Sequence, residues 1–450
     1  MNGSWLIANP LPTLSTSCNK DLNGGYGTCD KIGDSTLAKI IARFKGRSIK
    51  LPVLSLSYIS SLLKLKGKQI FYSEDYKSCL TIASEKPIEA CLIYGSIVAS
   101  EIELQLINSI KKINKDIVII VVGSFSTKFP EVFNIADSVI SGEPEEFFLN
   151  WDGDLEVFKC NGSVLISNNL KSLDLLPLPD FSDMNPDNFS YFPMLKRPTG
   201  FIESSRGCPY SCGYYCTYGE NQGKSIRAYT PARLVDLMIK LKEKYNFNSY
   251  QFRDPVFGLK KGYIEEFCLE ILRNNLEVEW GMETRSDILN LEKILLMKKA
   301  GLKSINIGIE TPNTEIAIGN KRKTDKENHL QALLSDAKRE GVRMNGFYIL
   351  GFENDDYQSC LNTIKYSLNT DTYMARYSVC TPYPGTMYHF ELEQKNKIIE
   401  REYSKYNQQE LVFKHDNLTA EDIKKLVDMA YRKYYLRPKI LIKIARNIIS

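Results

Sequence analysis

The chain has 450 residues, 43% of them hydrophobic and 25% charged, with a formal net charge of +4. That composition is ordinary for a globular protein of two or three domains, and the charge gives no footing for a nucleic-acid partner. No apolar run approaches the ~20 residues that span a bilayer. Met1–Pro10 has neither a charged n-region nor a long apolar core, so no secretory signal is expected. Eleven cysteines, an odd number, argue against a disulfide framework and suit a reducing cytoplasm.

Residues 1–150 alternate strands and helices. Strands are expected at Trp5–Ala8, Gln69–Tyr72, Ala90–Tyr94, Ile117–Val122 and Asp137–Ile140, with helices at Leu51–Leu65 and Ile102–Ile113. This alternation predicts an α/β, doubly wound parallel sheet. Gly95-Ser96 and Gly123-Ser124 fall at carboxyl ends of strands, where such sheets bind ligands. Strand-end glycines also serve simple tight turns. Residues 13–50, with Gly24-Gly25-Tyr26-Gly27, lengthen the first loop, as a ligand cap or an edge cover; Cys18 and Cys29 lack metal spacing. Residues 151–199, rich in Asn, Asp and Pro, read as a linker.

Residues 200–390 repeat strand then helix. Strands are expected at Gly200–Glu203, Ser249–Arg253, Val278–Glu283, Ser304–Glu310, Met344–Leu350 and Ala375–Thr381, with helices between them. Six parallel strands make a partial barrel, whose chemistry sits at the strands' carboxyl ends. Asp254, Glu283, Arg285, Glu310 and Glu353 fall there. Residues 391–450 read as a helical tail with basic apolar segments Met429–Tyr435 and Pro438–Ile449. Such a helix touches a membrane surface or, more often, packs back on its own domain.

Cys208, Cys212 and Cys216 carry the most information. They are spaced Cys-x3-Cys-x3-Cys in a loop broken by Gly207, Pro209 and Gly213. Three soft thiolates in such a loop can hold an iron–sulfur cluster and leave one iron open for chemistry. Plain burial is the competing reading. Zinc would need a fourth ligand from afar, since His329, His389 and His415 are all over a hundred residues away.

This loop resembles the radical SAM superfamily, whose signature is Cys-x3-Cys-x2-Cys with an aromatic residue before the third cysteine. Tyr215 supplies the aromatic, but the second gap holds one extra residue; either Tyr214 bulges or the site is degenerate. The stretch through Arg227-Ala228-Tyr229-Thr230-Pro231 resembles the cobalamin-dependent branch. So do Asn9-Pro10, Leu51–Tyr58, Val122-Gly123-Ser124 and Ser141-Gly142-Glu143-Pro144-Glu145 in the first domain. The resemblance implies a cobalamin-binding-like domain (1–150), a linker (151–199), a radical SAM partial (β/α)6 TIM-like barrel (200–390) and a helical C-terminal region (391–450).

It also implies a 4Fe–4S cluster on the three cysteines and S-adenosylmethionine (SAM) on its open iron. Reductive SAM cleavage would give a 5′-deoxyadenosyl radical. No histidine precedes His329, so bound cobalamin would be base-off without a histidine ligand, with Gly95, Ser96, Gly123 and Ser124 lining its site. Toward SAM the resemblance points to Asp254, in place of the family's Gly-Gly-Glu acid, and to Glu283, Arg285, Gly308 and Glu310; Tyr383 is a candidate toward substrate. The expected function is methylation of an unactivated carbon, or a phosphinate phosphorus, of a small metabolite. The electron would come from an external flavodoxin- or ferredoxin-type donor. Open alternatives are a non-methylating radical rearrangement or oxidation, modification of a peptide or tRNA, and a non-catalytic cobalamin or Fe–S binding protein.

Overall fold

The computed structural model describes residues 3–12, 17–20, 25–30, 48–160, 162–323, 327–440 and 442. Gly24, most of the 13–50 insertion and most of Pro438–Ile449 lie outside the described residues.

The first domain is a six-stranded parallel sheet in the order Gln69–Ser73, Ser4–Ala8, Ile88–Tyr94, Val118–Val122, Ser138–Ser141, Ser163–Ile166. Val118–Val122 is buried along its whole length, which is why it reads as an unbroken β-branched run. Helices Leu54–Leu65 and Ser100–Ile113 bury their apolar stripes against the sheet. The sheet extends past residue 150. Ser163–Ile166 is an edge strand whose Val164 and Ile166 are 41% and 73% exposed, so no buried apolar run marks it in the sequence. The strand order reverses between Ser4–Ala8 and Ile88–Tyr94, and the crevice beside their carboxyl ends is this fold's ligand position.

The second sheet has six parallel strands in chain order: Thr199–Ile202, Ser249–Phe252, Glu279–Thr284, Leu302–Glu310, Arg343–Leu350 and Met374–Val379. Each crossover is a helix with legible ends. Pro231–Tyr245 is capped by Thr230, begins with proline and stops at Asn246, whose φ of 54° is left-handed. Tyr357–Thr370 starts with a capping box between Asp356 and Ser359.

The linker fuses the two halves. Leu170, Leu173, Leu176, Phe181 and Phe189 are buried in one apolar core that runs from Trp5 to Met344. The tail helix Ala420–Tyr435 packs back on the barrel: Tyr431 meets the Tyr377 ring at 5.3 Å, and Tyr435 donates to the Ala375 carbonyl at 2.7 Å. Among the described residues no helix is long and apolar enough to cross a membrane.

Candidate active site

The carboxyl ends of the barrel strands open onto a cavity of ≈ 280 Å³. Cys208, Cys212 and Cys216 lie on its wall with Glu283, Arg285, Gly308, Glu310 and Tyr383. Residues from four separate segments of the sequence therefore meet at one mouth.

The cysteine loop is built by backbone constraints. Gly207 sits at φ 92°, and a Cβ there would lie 2.1 Å from the Ser225 carbonyl oxygen, so only glycine turns the chain out of the strand. The Cys208 amide donates to the Gly223 carbonyl at 3.0 Å. Ser211–Tyr214 forms a 3-10 turn, and the Cys216 amide reaches the Cys212 carbonyl at 3.0 Å. The long second gap, Gly213–Tyr215, begins in that turn. Tyr214 swings outward, donates to Glu391 at 2.6 Å and lies under Lys321 at 4.4 Å. Tyr215 points inward and donates to Glu310 at 2.5 Å.

Burial pushes all three thiols up, Cys212 to about 11, with Cys216 shifted further. A thiolate here needs a cation to offset its desolvation, which a bound metal supplies. Among the described residues no three His, Cys, Asp or Glu side chains converge on a single-ion site. A cluster spreads its thiolates over separate irons and does not require that convergence.

The expected polar residues divide. Arg285 is held by Asp287 at 2.9 Å, by the Lys323 carbonyl at 3.1 Å and by the face of Tyr210 at 4.2 Å. Glu283 pairs with Arg253. Glu310 has a φ of 67° at a shift in strand register, pairs with Arg322 at 2.7 Å and fixes Tyr215. Gly308 carries no free approach as it stands: its carbonyl accepts from Arg322 at 2.7 Å, and a Cβ there would lie 3.0 Å from that guanidinium. Tyr383 donates to the Gly27 carbonyl at 3.3 Å and meets the Tyr26 ring edge-on at 5.6 Å.

Asp254 is placed elsewhere. It is 1% exposed and accepts from the Ser204 amide (2.9 Å), the Ser204 hydroxyl (2.5 Å) and the Ser205 hydroxyl (2.7 Å). Its carboxylate braces the chain leading into the cysteine loop and does not line the cavity. Glu353 is also away from the cavity, bound to Lys395 and Lys397 at 3.1 Å.

The feature that sequence reasoning missed is a buried ion-pair clamp between the two domains. Arg206 pairs with Glu203 at 2.8 Å, Glu145 at 3.0 Å and Glu143 at 3.4 Å; Arg227 also grips Glu143, at 2.6 Å. Burial raises Glu203 to about 7 despite Arg206. Burial acts on Glu143 the same way, but Arg206 and Arg227 together outweigh it and hold its carboxyl low. The Ser141–Glu145 motif was a family match only. Its two acids hold the arginine one step before Gly207 and so set the cysteine loop against the first domain.

Room for a corrin is a separate question. At the crevice beside Ala8 and Tyr94, Lys20 pairs with Glu103 at 2.7 Å, both side chains at 0% exposure, and Glu103 takes the amide and hydroxyl of Ser96. The Ile97 amide donates to the Tyr26 carbonyl at 2.9 Å. A Cβ on Gly95 would meet Val121 at 2.9 Å and Phe133 at 3.0 Å. Gly95 and Ser96 are thus engaged by the chain itself. Gly123 and Ser124 line an opening of ≈ 40 Å³, space for a few waters. Cys18 and Cys29, left unassigned from the sequence, form a disulfide at the base of the short ribbon that carries Tyr26 into the crevice. Of the four residues expected toward cobalamin, Gly123 and Ser124 are the two that face open space among the described residues.

Comparison with known proteins agrees with the geometry. The family described as "Radical SAM superfamily" matches residues 202–364. A protein of Pyrococcus horikoshii named as an uncharacterised methyltransferase is 28% identical over 355 residues, 74% of this chain and 75% of that one. The anaerobic magnesium-protoporphyrin IX monomethyl ester cyclase of Rubrivivax gelatinosus is 26% identical over 360 residues, 74% of this chain and 63% of the cyclase, so less than two thirds of its length is matched. In fold, the chain is similar to the radical SAM methyltransferase TsrM of Kitasatospora setae, solved with cobalamin and a 4Fe–4S cluster. The TM-score is 0.63 at 13% identity, covering 96% of this chain and 85% of that one. This chain carries a radical SAM domain at residues 202–364 and has the two-domain fold of a cobalamin-dependent radical SAM enzyme.

Proposed function

We propose that this protein is a radical SAM methyltransferase acting on an unactivated carbon of a small molecule. The observation that carries the reading is the meeting of Cys208, Cys212 and Cys216 with Glu283 and Arg285 on one cavity at the strand ends. Bound on those thiolates, a 4Fe–4S cluster would supply the electron that splits SAM, and cobalamin would carry the methyl group.

The chain's own residues hold and orient. Arg285 is pre-set by Asp287 and Tyr210 to present its outer N–H groups to the SAM carboxylate. Glu283, steadied by Arg253, accepts from a ribose hydroxyl. Glu310 and Arg322 fix Tyr215, and with it the third cysteine. Tyr26 and Tyr383 pack edge-on along one side of the cavity and narrow it. Cobalamin is part of the proposal through the fold shared with TsrM. It would be base-off: the domain has no histidine, and His329, the first in the chain, contacts the Ser286 carbonyl in the barrel at 3.1 Å. An external flavodoxin- or ferredoxin-type donor would supply the electrons, in the cytoplasm.

The test is anaerobic reconstitution with iron, sulfide and hydroxocobalamin, followed by incubation with SAM carrying a deuterated methyl group and candidate metabolites. A product heavier by one labelled CH2 unit is expected. SAM cleavage with an unmethylated, rearranged product would replace methylation by another radical reaction.

A further inference from the structure

One wall of the cavity comes from the N-terminal ribbon: Gly25 and Tyr26 line it beside Tyr383. The ribbon pairs Ser17–Asn19 with Thr28–Asp30, and Cys18 stands directly opposite Cys29. Of the chain's eleven cysteines, these two are bonded to each other and the rest are free.

The ribbon is seated on both domains. On the first, Lys20 reaches Glu103 at 2.7 Å, and the Ile97 amide donates to the Tyr26 carbonyl at 2.9 Å. On the barrel side, Tyr383 donates to the Gly27 carbonyl at 3.3 Å. The Asn407 carbonyl accepts from the Thr28 hydroxyl at 3.0 Å and from the Cys29 amide at 3.4 Å. The Tyr26 ring then meets Phe125 at 5.7 Å and Tyr383 at 5.6 Å. The seating of the ribbon therefore sets the width of the cavity along that wall.

These contacts are individually modest. A buried ion pair such as Lys20–Glu103 offsets little more than its own desolvation. A ladder as short as Ser17–Asn19 on Thr28–Asp30 is marginal without support. The bond between Cys18 and Cys29 is the covalent link in the set, and it closes a span of 11 residues. Cutting it frees the opened ribbon and shifts its opening equilibrium by a factor of about 100.

Cys18 is half-buried, so an external thiol can reach its sulfur, while Cys29 is 9% exposed. A protein that depends on a reduced iron–sulfur cluster works where disulfides are transient and report the redox state. An oxidant that closes this bond also endangers a cluster held on Cys208, Cys212 and Cys216 at the same cavity.

We propose that Cys18 and Cys29 form a reversible thiol–disulfide latch on access to the cavity. Oxidised, the pair holds Tyr26 against Tyr383 and narrows the cavity; reduced, it releases the ribbon and lets ligand in. The inference rests on the radical SAM reading for its reducing setting and adds to that reading a control on access. In closing, two protein S–H bonds are exchanged for one S–S bond, and a small disulfide takes up the two electrons and two protons and leaves as two thiols. In opening, a dithiol returns them and leaves as its own disulfide.

Full-length protein, loaded with its cluster anaerobically, is equilibrated with dithiothreitol or with glutathione disulfide, and the Cys18–Cys29 link is scored by peptide mass. Hydrogen exchange follows the Ile97 and Cys29 amides, one at each seat of the ribbon. Stopped-flow mixing follows uptake of S-adenosylhomocysteine and, separately, capture of iron by a chelator. Reduction should speed exchange at both amides about 10–100-fold, and uptake and iron capture at least about tenfold. Cys18→Ser combined with Cys29→Ser should match the reduced protein in either buffer, at unchanged iron content. Exchange that ignores the state of the pair would overturn the proposal. So would faster exchange with uptake and iron capture both unchanged, which confines the bond to local stability. A pair that stays oxidised in dithiothreitol would overturn it too. Iron capture that tracks the latch, with no S-adenosylhomocysteine uptake in either form, would support the latch and sink the radical SAM reading beneath it.

Discussion

Replacing Arg206 with methionine removes the shared cation of Glu143, Glu145 and Glu203, whose side chains are 7%, 2% and 0% exposed. Breaking a buried pair on one side strands the other charge and costs about 3–5 kcal/mol. Glu143 keeps Arg227, so the cost concentrates on Glu145 and Glu203. With an unfolding entropy of about 2.1 cal/mol/K per residue over 450 residues, each kcal/mol moves the melting temperature by about 1 °C, so it should fall by about 3–5 °C. The loss should also depend on pH. Burial raises Glu203 from 4.5 to about 7 even with Arg206 present. The folded state therefore holds that proton more tightly than the unfolded chain, and this group's contribution to stability falls as pH rises from 4.5 to about 7. Without Arg206 the carboxyl rises further, so the window extends upward and the variant's deficit grows between pH 5 and pH 8. Denaturant melts of both proteins at the two pH values measure it. A deficit equal at both pH values, or below 1 kcal/mol at pH 8 (well under the buried-pair cost), would refute the clamp.

Gly207→Ala should behave as a folding defect of the cysteine loop, since its Cβ meets Ser225 and its φ is 92°; iron uptake near the wild-type level would contradict this. Tyr214→Phe removes the bond to Glu391, worth about 1 kcal/mol, and should speed cluster loss to a chelator about fivefold. Glu391→Gln should do the same and the double variant no more, whereas additive effects would mean the two residues act separately. Arg285→Met should raise the SAM dissociation constant about tenfold or more at unchanged iron content; an unchanged constant would remove Arg285 from the SAM site.

Much of the architecture was legible because it is local. Pro231–Tyr245 has its cap, proline and apolar stripe in consecutive residues, so both its type and its ends are local features of the sequence. The other barrel strands and helices differ from expectation by one to a few residues at their ends, where fraying competes with capping. Glu283, Arg285 and Glu310 reach the cavity because they lie at or just past strand ends, where a parallel barrel opens; Tyr383 was legible only through the family resemblance.

What escaped is non-local or weakly patterned. Arg206 meets Glu145 across 61 residues, and no periodicity reports such a pair. Asp254 ends a strand as expected, but two serines earlier in the chain capture it. Ser163–Ile166 is a half-exposed edge with no buried run. The Cys18–Cys29 bond closes a ribbon too short to show strand alternation. Arg376 and Gln408 become neighbours only when the C-terminal segment folds back over the last strand.

The central claim is that Cys208, Cys212 and Cys216 hold a cluster that cleaves SAM. The most direct test is anaerobic reconstitution of the wild type and of the triple Cys→Ala variant, measuring iron and 5′-deoxyadenosine under a strong reductant. The account predicts about four irons and steady 5′-deoxyadenosine release from wild type, with neither from the variant. Cleavage that survives in the triple variant, or a wild type that binds no iron, would contradict it.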